Sequence, residues 1–113
     1  MGTISKFEDI EAWQSARTLA GSVYKVVSAG KLSRDFGLRD QLQRAAVSVM
    51  ANIAEGFGRG RNAELIHFLV IARGSCSEVQ SHLYIASDAG LMTKAEFDDI
   101  SEQADKTARK ISA

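Results

Sequence analysis

Apolar residues recur at three- and four-residue spacing through almost the whole chain, the period that lines one face of an α-helix. Ile10, Trp13, Ala16, Ala20, Val23 and Val27 form a first stripe, widened by Leu19 and Val26. Leu38, Leu42, Ala45, Val49 and Ile53 form a second. Leu65, Phe68, Leu69, Ala72, Cys76, Val79, Leu83 and Ala86 form a third. Phe97, Ile100, Ala104, Thr107, Ala108 and Ile111 form the last. Four amphipathic helices are expected.

Their ends are marked by capping chemistry. Ser5 and Glu8 stand three apart, as in a capping box, with Asp9 as an alternative start, and Gly30 supplies a left-handed stop after the first helix. Ser33 or Asp35 caps the second helix, which is expected to run to Glu55 or Gly56 with Gly37 near its start. The segment Gly56-Phe-Gly-Arg-Gly-Arg-Asn62 reads as a helix end and tight turn. Asn62 is expected to cap the third helix, Asp88-Ala-Gly90 to end it, and Thr93-Lys-Ala-Glu96 to box the fourth. Short connections between four helices imply antiparallel neighbours, hence an all-α, up-down-up-down four-helix bundle as one domain over residues 1–113. Gly74 falls in mid-helix, which suggests close approach of another helix.

A polar stripe runs beside the apolar one on the second helix: Gln41, Arg44, Ser48, Asn52 and Glu55. Ser, Asn and Gln are weak choices for a solvated helix face, so the stripe is expected to meet another helix or subunit. In a hairpin of the second and third helices, facing residue numbers sum to about 119 or 120. Asn52 then faces His67, Glu55 lies near Glu64, and Arg44 and Gln41 reach Ser75 and Glu78. An Arg44–Glu78 pair is the expectation, within one subunit or across an interface.

Composition sharpens this only in places. The 113 residues include no proline, which suits long helices, and the net charge is zero, which favours no polyanion or membrane surface for the molecule as a whole. The balance is uneven, however. Residues 31–61 carry six cations against three carboxylates, a net of +3, and residues 62–113 five against eight, a net of −3. The single cysteine, Cys76, excludes an internal disulfide and suits a reducing compartment, and its flanks make it a small core residue. Met1-Gly-Thr-Ile-Ser-Lys6 lacks the apolar core of a signal peptide, and no apolar run reaches membrane-spanning length. A cytoplasmic protein with no membrane association is expected.

Candidate chemistry is sparse. The Gly56–Gly60 run has the glycines of a phosphate loop, but no strand precedes it. Glu64-Leu-Ile-His67 is a Glu-x-x-His motif of the kind found in di-iron bundles, with Glu55 as a further oxygen donor. A full site needs a second such motif, and His82 follows Glu78 at four residues, on the order of 22 Å along the helix from His67. Ser48, Ser75 and Ser77 sit in helices without a nucleophile elbow or an orienting third group. No catalytic residue, metal ligand, cofactor or small-molecule substrate is assigned.

The blocks Phe7-Glu-Asp-Ile-Glu-Ala-Trp-Gln-Ser-Ala16, Gln41-Leu-Gln-Arg-Ala-Ala-Val-Ser48, Asn52-Ile-Ala-Glu-Gly56 and Phe68-Leu-Val-Ile-Ala-Arg-Gly-Ser75, with Glu78, resemble the four-helix-bundle proteins encoded in intervening sequences of bacterial 23S ribosomal RNA genes. The resemblance covers nearly the whole chain. It implies an antiparallel bundle assembling into a homopentameric ring, of poorly defined role, with RNA or DNA association suspected. The accessory protein of diversity-generating retroelements looks like a strongly basic relative acting with reverse transcriptase. Where the family usually carries Ser-Ile-Pro-x-Asn, this chain has Val49, Met50 and Ala51 between Ser48 and Asn52, which leaves the helix straighter.

The resulting expectation is a non-enzymatic, self-associating helical scaffold or interaction module linked to RNA. Its polar interface or network comprises Gln41, Arg44, Ser48, Asn52, Glu55, His67, Ser75 and Glu78. The alternative is direct RNA or DNA binding through a basic ring-edge patch of Arg59 and Arg61, with Arg39, Arg34 and Lys31 as further contacts. A carboxylate-bridged metal enzyme built on Glu55, Glu64 and His67 is the remote alternative.

Overall fold

The four apolar stripes close on one another in a computed structural model that describes residues 4–113. Helix α1 spans Glu11–Val27, α2 Phe36–Gly58, α3 Asn62–Asp88 and α4 Lys94–Ser112. They form an all-α four-helix bundle, and no strand occurs among the described residues. Each helix packs on its neighbour in sequence, most extensively α2 on α3, and α1 also packs on α4, so the four enclose one core in an elongated body of 45 × 23 × 18 Å.

The core holds Leu19, Val23, Leu42, Val49, Ile53, Val79, Leu83 and Ile100, all essentially inaccessible to water. Each such side chain contributes about 1.5–3 kcal/mol relative to exposure. Between them lie Ala16, Ala45, Ala46, Ala72, Ala86 and Ala104, also buried, whose small side chains let the helix axes approach. Trp13 is half-buried against the core, with its ring edge-on to Phe7 at 5.1 Å. Cys76 is buried, as expected, and burial pushes its thiol up to about 11.

The helix ends follow the capping chemistry in part. Thr93 and Glu96 complete a capping box, with Glu96 N–H donating to Thr93 Oγ1 at 3.1 Å and Thr93 N–H to Glu96 Oε1 at 2.8 Å. Asp35, not Ser33, caps α2 by accepting from the Leu38 N–H at 3.1 Å. Gly60 and Gly90 adopt φ of 78° and 71°, the left-handed conformation that stops α2 and α3.

Four boundaries differ from expectation. Ser5 and Glu8 form no capping box: Phe7–Asp9 is a 3-10 turn, and α1 starts after Ile10 without a side-chain cap. The Phe7–Trp13 contact folds this segment back onto the bundle. A second 3-10 turn, Lys31–Arg34, fills the first connection and buries Leu32. Helix α2 continues to Gly58, two residues beyond Gly56, because Gly60 alone reverses the chain. Asn62 is the first residue of α3 rather than its cap; Arg61, in extended conformation, precedes it and makes no capping bond.

Candidate functional site

The α2 polar stripe divides into an inner and an outer part. Ser48 and Asn52 turn inward: Ser48 Oγ lies 2.9 Å from Ser75 Oγ of α3, and Asn52 Nδ2 donates to Ser48 Oγ at 2.9 Å and to its carbonyl at 2.8 Å. Ser75 is buried, so its hydroxyl depends on this contact. Gln41, Arg44 and Glu55 stay exposed.

The hairpin register departs from the expected sum by about one helical turn. Ser48 meets Ser75, and Gly56 meets Phe68 and Leu65. At Gly56 the missing side chain lets α3 approach closely. Asn52 therefore bonds within α2 rather than to His67, which is exposed and stacks edge-on to Phe68 at 5.4 Å. Arg44 and Glu78 are both exposed and form no ion pair; the nearest partner of Glu78 is His82 Nε2, at 3.6 Å. That nitrogen is shut off from solvent with no hydrogen-bond partner among the described residues.

Glu55 and Glu64 do come together, and what lies between them is Arg59. Its guanidinium donates to Glu55 Oε2 at 2.8 Å, lies 3.8 Å from Glu64 Oε2 and sits 5.1 Å from the Phe68 ring centre. The hydrogen bond to Glu55 raises the Arg59 pKa further; desolvation opposes it, and the charges of Glu55 and Glu64 add to the rise. Among the described residues no group of three or more His, Cys, Asp or Glu is arranged to hold a metal ion.

The five candidate nucleic-acid contacts are not gathered into one patch. Lys31 and Arg34 lie in the 3-10 turn and Arg39 in the first turns of α2, whereas Arg59 and Arg61 flank its far end. A 23-residue helix separates the groups by roughly 35 Å. Arg59 and Arg39 are engaged within the fold; Lys31, Arg34 and Arg61 are exposed and have no salt bridge or side-chain hydrogen bond among the described residues.

Two surfaces escaped the sequence reading. Along α3 the exposed positions 66, 70, 74, 77, 81, 84 and 85 carry Ile, Val, Gly, Ser, Ser, Tyr and Ile over roughly 28 Å of helix, with the exposed Arg73 and Glu78 along the two edges of this uncharged strip. Ile66, Val70, Tyr84 and Ile85 are each 58–66% exposed. The dominant core stripe of α3 masks this second stripe in a periodicity reading, since together they make the helix apolar on most sides. The other surface is a polar seam between α1 and α4. There Ser15 Oγ lies 2.6 Å from the fully buried Thr107 hydroxyl, Ser22 donates to Gln103 at 3.1 Å, and Lys110 pairs with Glu11 at 3.2 Å. Above it, Gln14, Thr18, Lys106 and Lys110 border an open groove of about 260 Å³.

Residues 8–113 match the model of a family described as 23S rRNA-intervening sequence protein. A comparison with curated proteins gives no significant match. Among solved structures, the bundle is similar to a protein with unknown function of the S23 ribosomal protein family from Bacteroides thetaiotaomicron. That protein shares 19% identity over 88% of this chain and 94% of its own, with a TM-score of 0.80.

Proposed function

The chain belongs to the 23S rRNA-intervening sequence protein family, and from that premise we propose that it is a non-enzymatic, self-assembling helical scaffold of the cytoplasm. The observation that carries this reading is the uncharged α3 strip. A helix face with Ile66, Val70, Tyr84 and Ile85 in water is the kind of surface that monomers rarely leave open. A second copy of the chain is its occupant. Gly74, near the middle of the strip, has nothing else among the described residues within 4 Å of where its Cβ would stand, its own helix backbone and chain neighbours aside. Nothing inside the subunit requires glycine there, and glycine costs a helix interior about 1 kcal/mol relative to alanine. Close approach of a neighbouring helix supplies the reason.

The same reading accounts for Arg44 and Glu78, each exposed at the α2–α3 edge without the other, as partners across a subunit contact. It takes the bundle as up-down-up-down. Facing pairs support this: Ser48–Ser75 and Gly56–Phe68 between α2 and α3, Ser15–Thr107 and Ser22–Gln103 between α1 and α4. In both, one partner's number rises as the other's falls. Repetition of one such heterologous contact around an axis closes a ring, a pentamer on the family pattern. The scaffold role is supported by how the reactive side chains are used: Ser48 and Ser75 bond each other, Glu55 and Glu64 hold Arg59, and Cys76 is buried as a thiol.

Native mass measurement tests the assembly. The expected result is a closed oligomer of five chains that Val70→Glu converts to folded monomer, since a charge within the strip cannot be buried unpaired. A wild-type protein that stays monomeric, or a Val70→Glu variant that assembles unchanged, overturns the reading.

A further inference from the structure

Phe36 opens α2 immediately after its cap, Asp35, and 64% of it remains in water, in a chain whose aromatic content is only 7%. The ring is not simply loose on the surface. The Arg39 guanidinium lies 4.7 Å from its centre, and that guanidinium is held by the Ser33 carbonyl, to which it donates at 3.2 Å, and by Asp40, 3.4 Å from its Nε. One face of the ring is thus backed by a fixed cation. The other is open.

Residues 31–40, which carry the ring, include three cations, Lys31, Arg34 and Arg39, and two carboxylates, Asp35 and Asp40. Both carboxylates are already engaged, Asp35 as the α2 cap and Asp40 with Arg39. Lys31 and Arg34 are exposed on the preceding 3-10 turn and have no salt bridge or side-chain hydrogen bond among the described residues. What the corner presents is an exposed aromatic ring with two uncommitted cations on the turn that precedes it, two and five residues away in the chain.

We propose that the Phe36 corner binds a single strand of nucleic acid, with one base stacked on the free face of Phe36 and the adjoining phosphates on Lys31 and Arg34. An unpaired base supplies the flat π surface that the ring lacks a partner for, and the phosphodiester supplies the anions. A duplex buries its base faces within the stack and has nothing to lay on the ring. This site is separate from the α3 strip and does not depend on subunit assembly.

The test is fluorescence anisotropy at low salt with labelled oligo-U and oligo-dT strands of about 12 nucleotides, a duplex of the same length and heparin as competitor. The expected result is binding of one or both single strands, weakened about tenfold or more by Phe36→Ala, kept by Phe36→Tyr, and unchanged by Arg61→Ala at the far end of α2. Oligo-U against oligo-dT decides between RNA and DNA. Phe36 is exposed, so its alanine variant keeps the wild-type circular dichroism and native mass, which separates this outcome from the fate of the assembly. Absence of single-strand binding by the wild-type protein overturns the proposal. So does a Phe36→Ala variant that binds like wild type, duplex binding as tight as single-strand binding, or a loss confined to Arg61→Ala.

Discussion

Gly56 of α2 and Phe68 of α3 meet so closely that a Cβ built on position 56 would lie 2.8 Å from the Cβ of Phe68 and 3.4 Å from the Leu65 backbone. Neither obstacle is the flexible end of a side chain, so the helices themselves must part to admit a methyl group. In the same α2–α3 register Ser48 meets Ser75 about two turns away.

Gly56→Ala is therefore expected to destabilise the protein by about 1–3 kcal/mol, overpacking outweighing the gain in helix propensity. Gly74→Ala has no such obstacle and is expected to raise the stability of the single subunit by about 0.5–1 kcal/mol. Urea unfolding of both variants in a Val70→Glu background reads the two effects without interference from assembly. Opposite signs are the prediction; equal signs would mean that the close contact at position 56 does not exist.

The Ser48–Ser75 hydroxyl pair makes a second, separable prediction. Ser48→Ala leaves the buried Ser75 hydroxyl without a partner, at a cost of about 1–3 kcal/mol. Ser75→Ala leaves Ser48 its bond from Asn52 and costs less, about 0.5–1.5 kcal/mol. Removing both hydroxyls is expected to cost clearly less than the two single changes added. A double-mutant cycle that is additive to within about 0.3–0.5 kcal/mol would refute the pairing.

Much of the bundle is legible in the sequence, and where legibility stops has physical causes. Helix interiors announce themselves because Leu19, Leu42, Val79 and Ile100 keep the 3.6 period that burial demands, and Gly60, Gly90 and the Thr93–Glu96 box mark three ends. Ser5–Glu8 and Asn62 carry the same local signals without the caps: Phe7–Asp9 forms a 3-10 turn with Phe7 against Trp13, and Arg61, in extended conformation, takes the position before α3. Of the α2 polar stripe, Ser48 meets another helix through Ser75, whereas Asn52 bonds within α2 to Ser48 and not to His67. Which partner each finds depends on the register between α2 and α3, which periodicity does not carry. The α1–α4 seam was hidden for a different reason. Ser15 and Thr107 occupy stripe-compatible positions as small residues, and only their opposition across two helices makes them a buried pair.

Cys76 makes the core sensitive to alkali. Burial raises its thiol from an ordinary 9.0 to about 11 in the folded chain, so the native state holds its proton where the unfolded state has lost it. With the folded value above the unfolded one, the stabilising effect is fully present below about pH 9 and disappears as pH rises through about 11. Between those limits unfolding is expected to become easier by on the order of 2 kcal/mol. Comparing wild type with Cys76→Ala in urea at about pH 8 and about pH 10.5 isolates the thiol from other titrating groups. The variant should lose less stability than wild type between the two; an equal loss would assign the alkaline effect elsewhere.

Arg59 and Arg61 stand two residues apart on one turn, yet they are expected to behave differently. Arg59 bridges Glu55 and Glu64 across the reversal and covers the Phe68 ring, while Arg61 has no ion pair among the described residues. Taking Arg59 away leaves two carboxylates facing each other where the chain turns. Arg59→Ala is therefore expected to lower the melting temperature at low ionic strength, and the deficit should shrink as salt screens the exposed carboxylates. Arg59→Lys, with one compact charge in place of a planar fork, should recover part of the loss. Arg61→Ala should melt like wild type at every salt concentration. Thermal melts across a salt series measure all four proteins together, and identical low-salt melting of the Arg59 and Arg61 alanine variants would show that the turn does not rely on the Glu55–Arg59–Glu64 bridge.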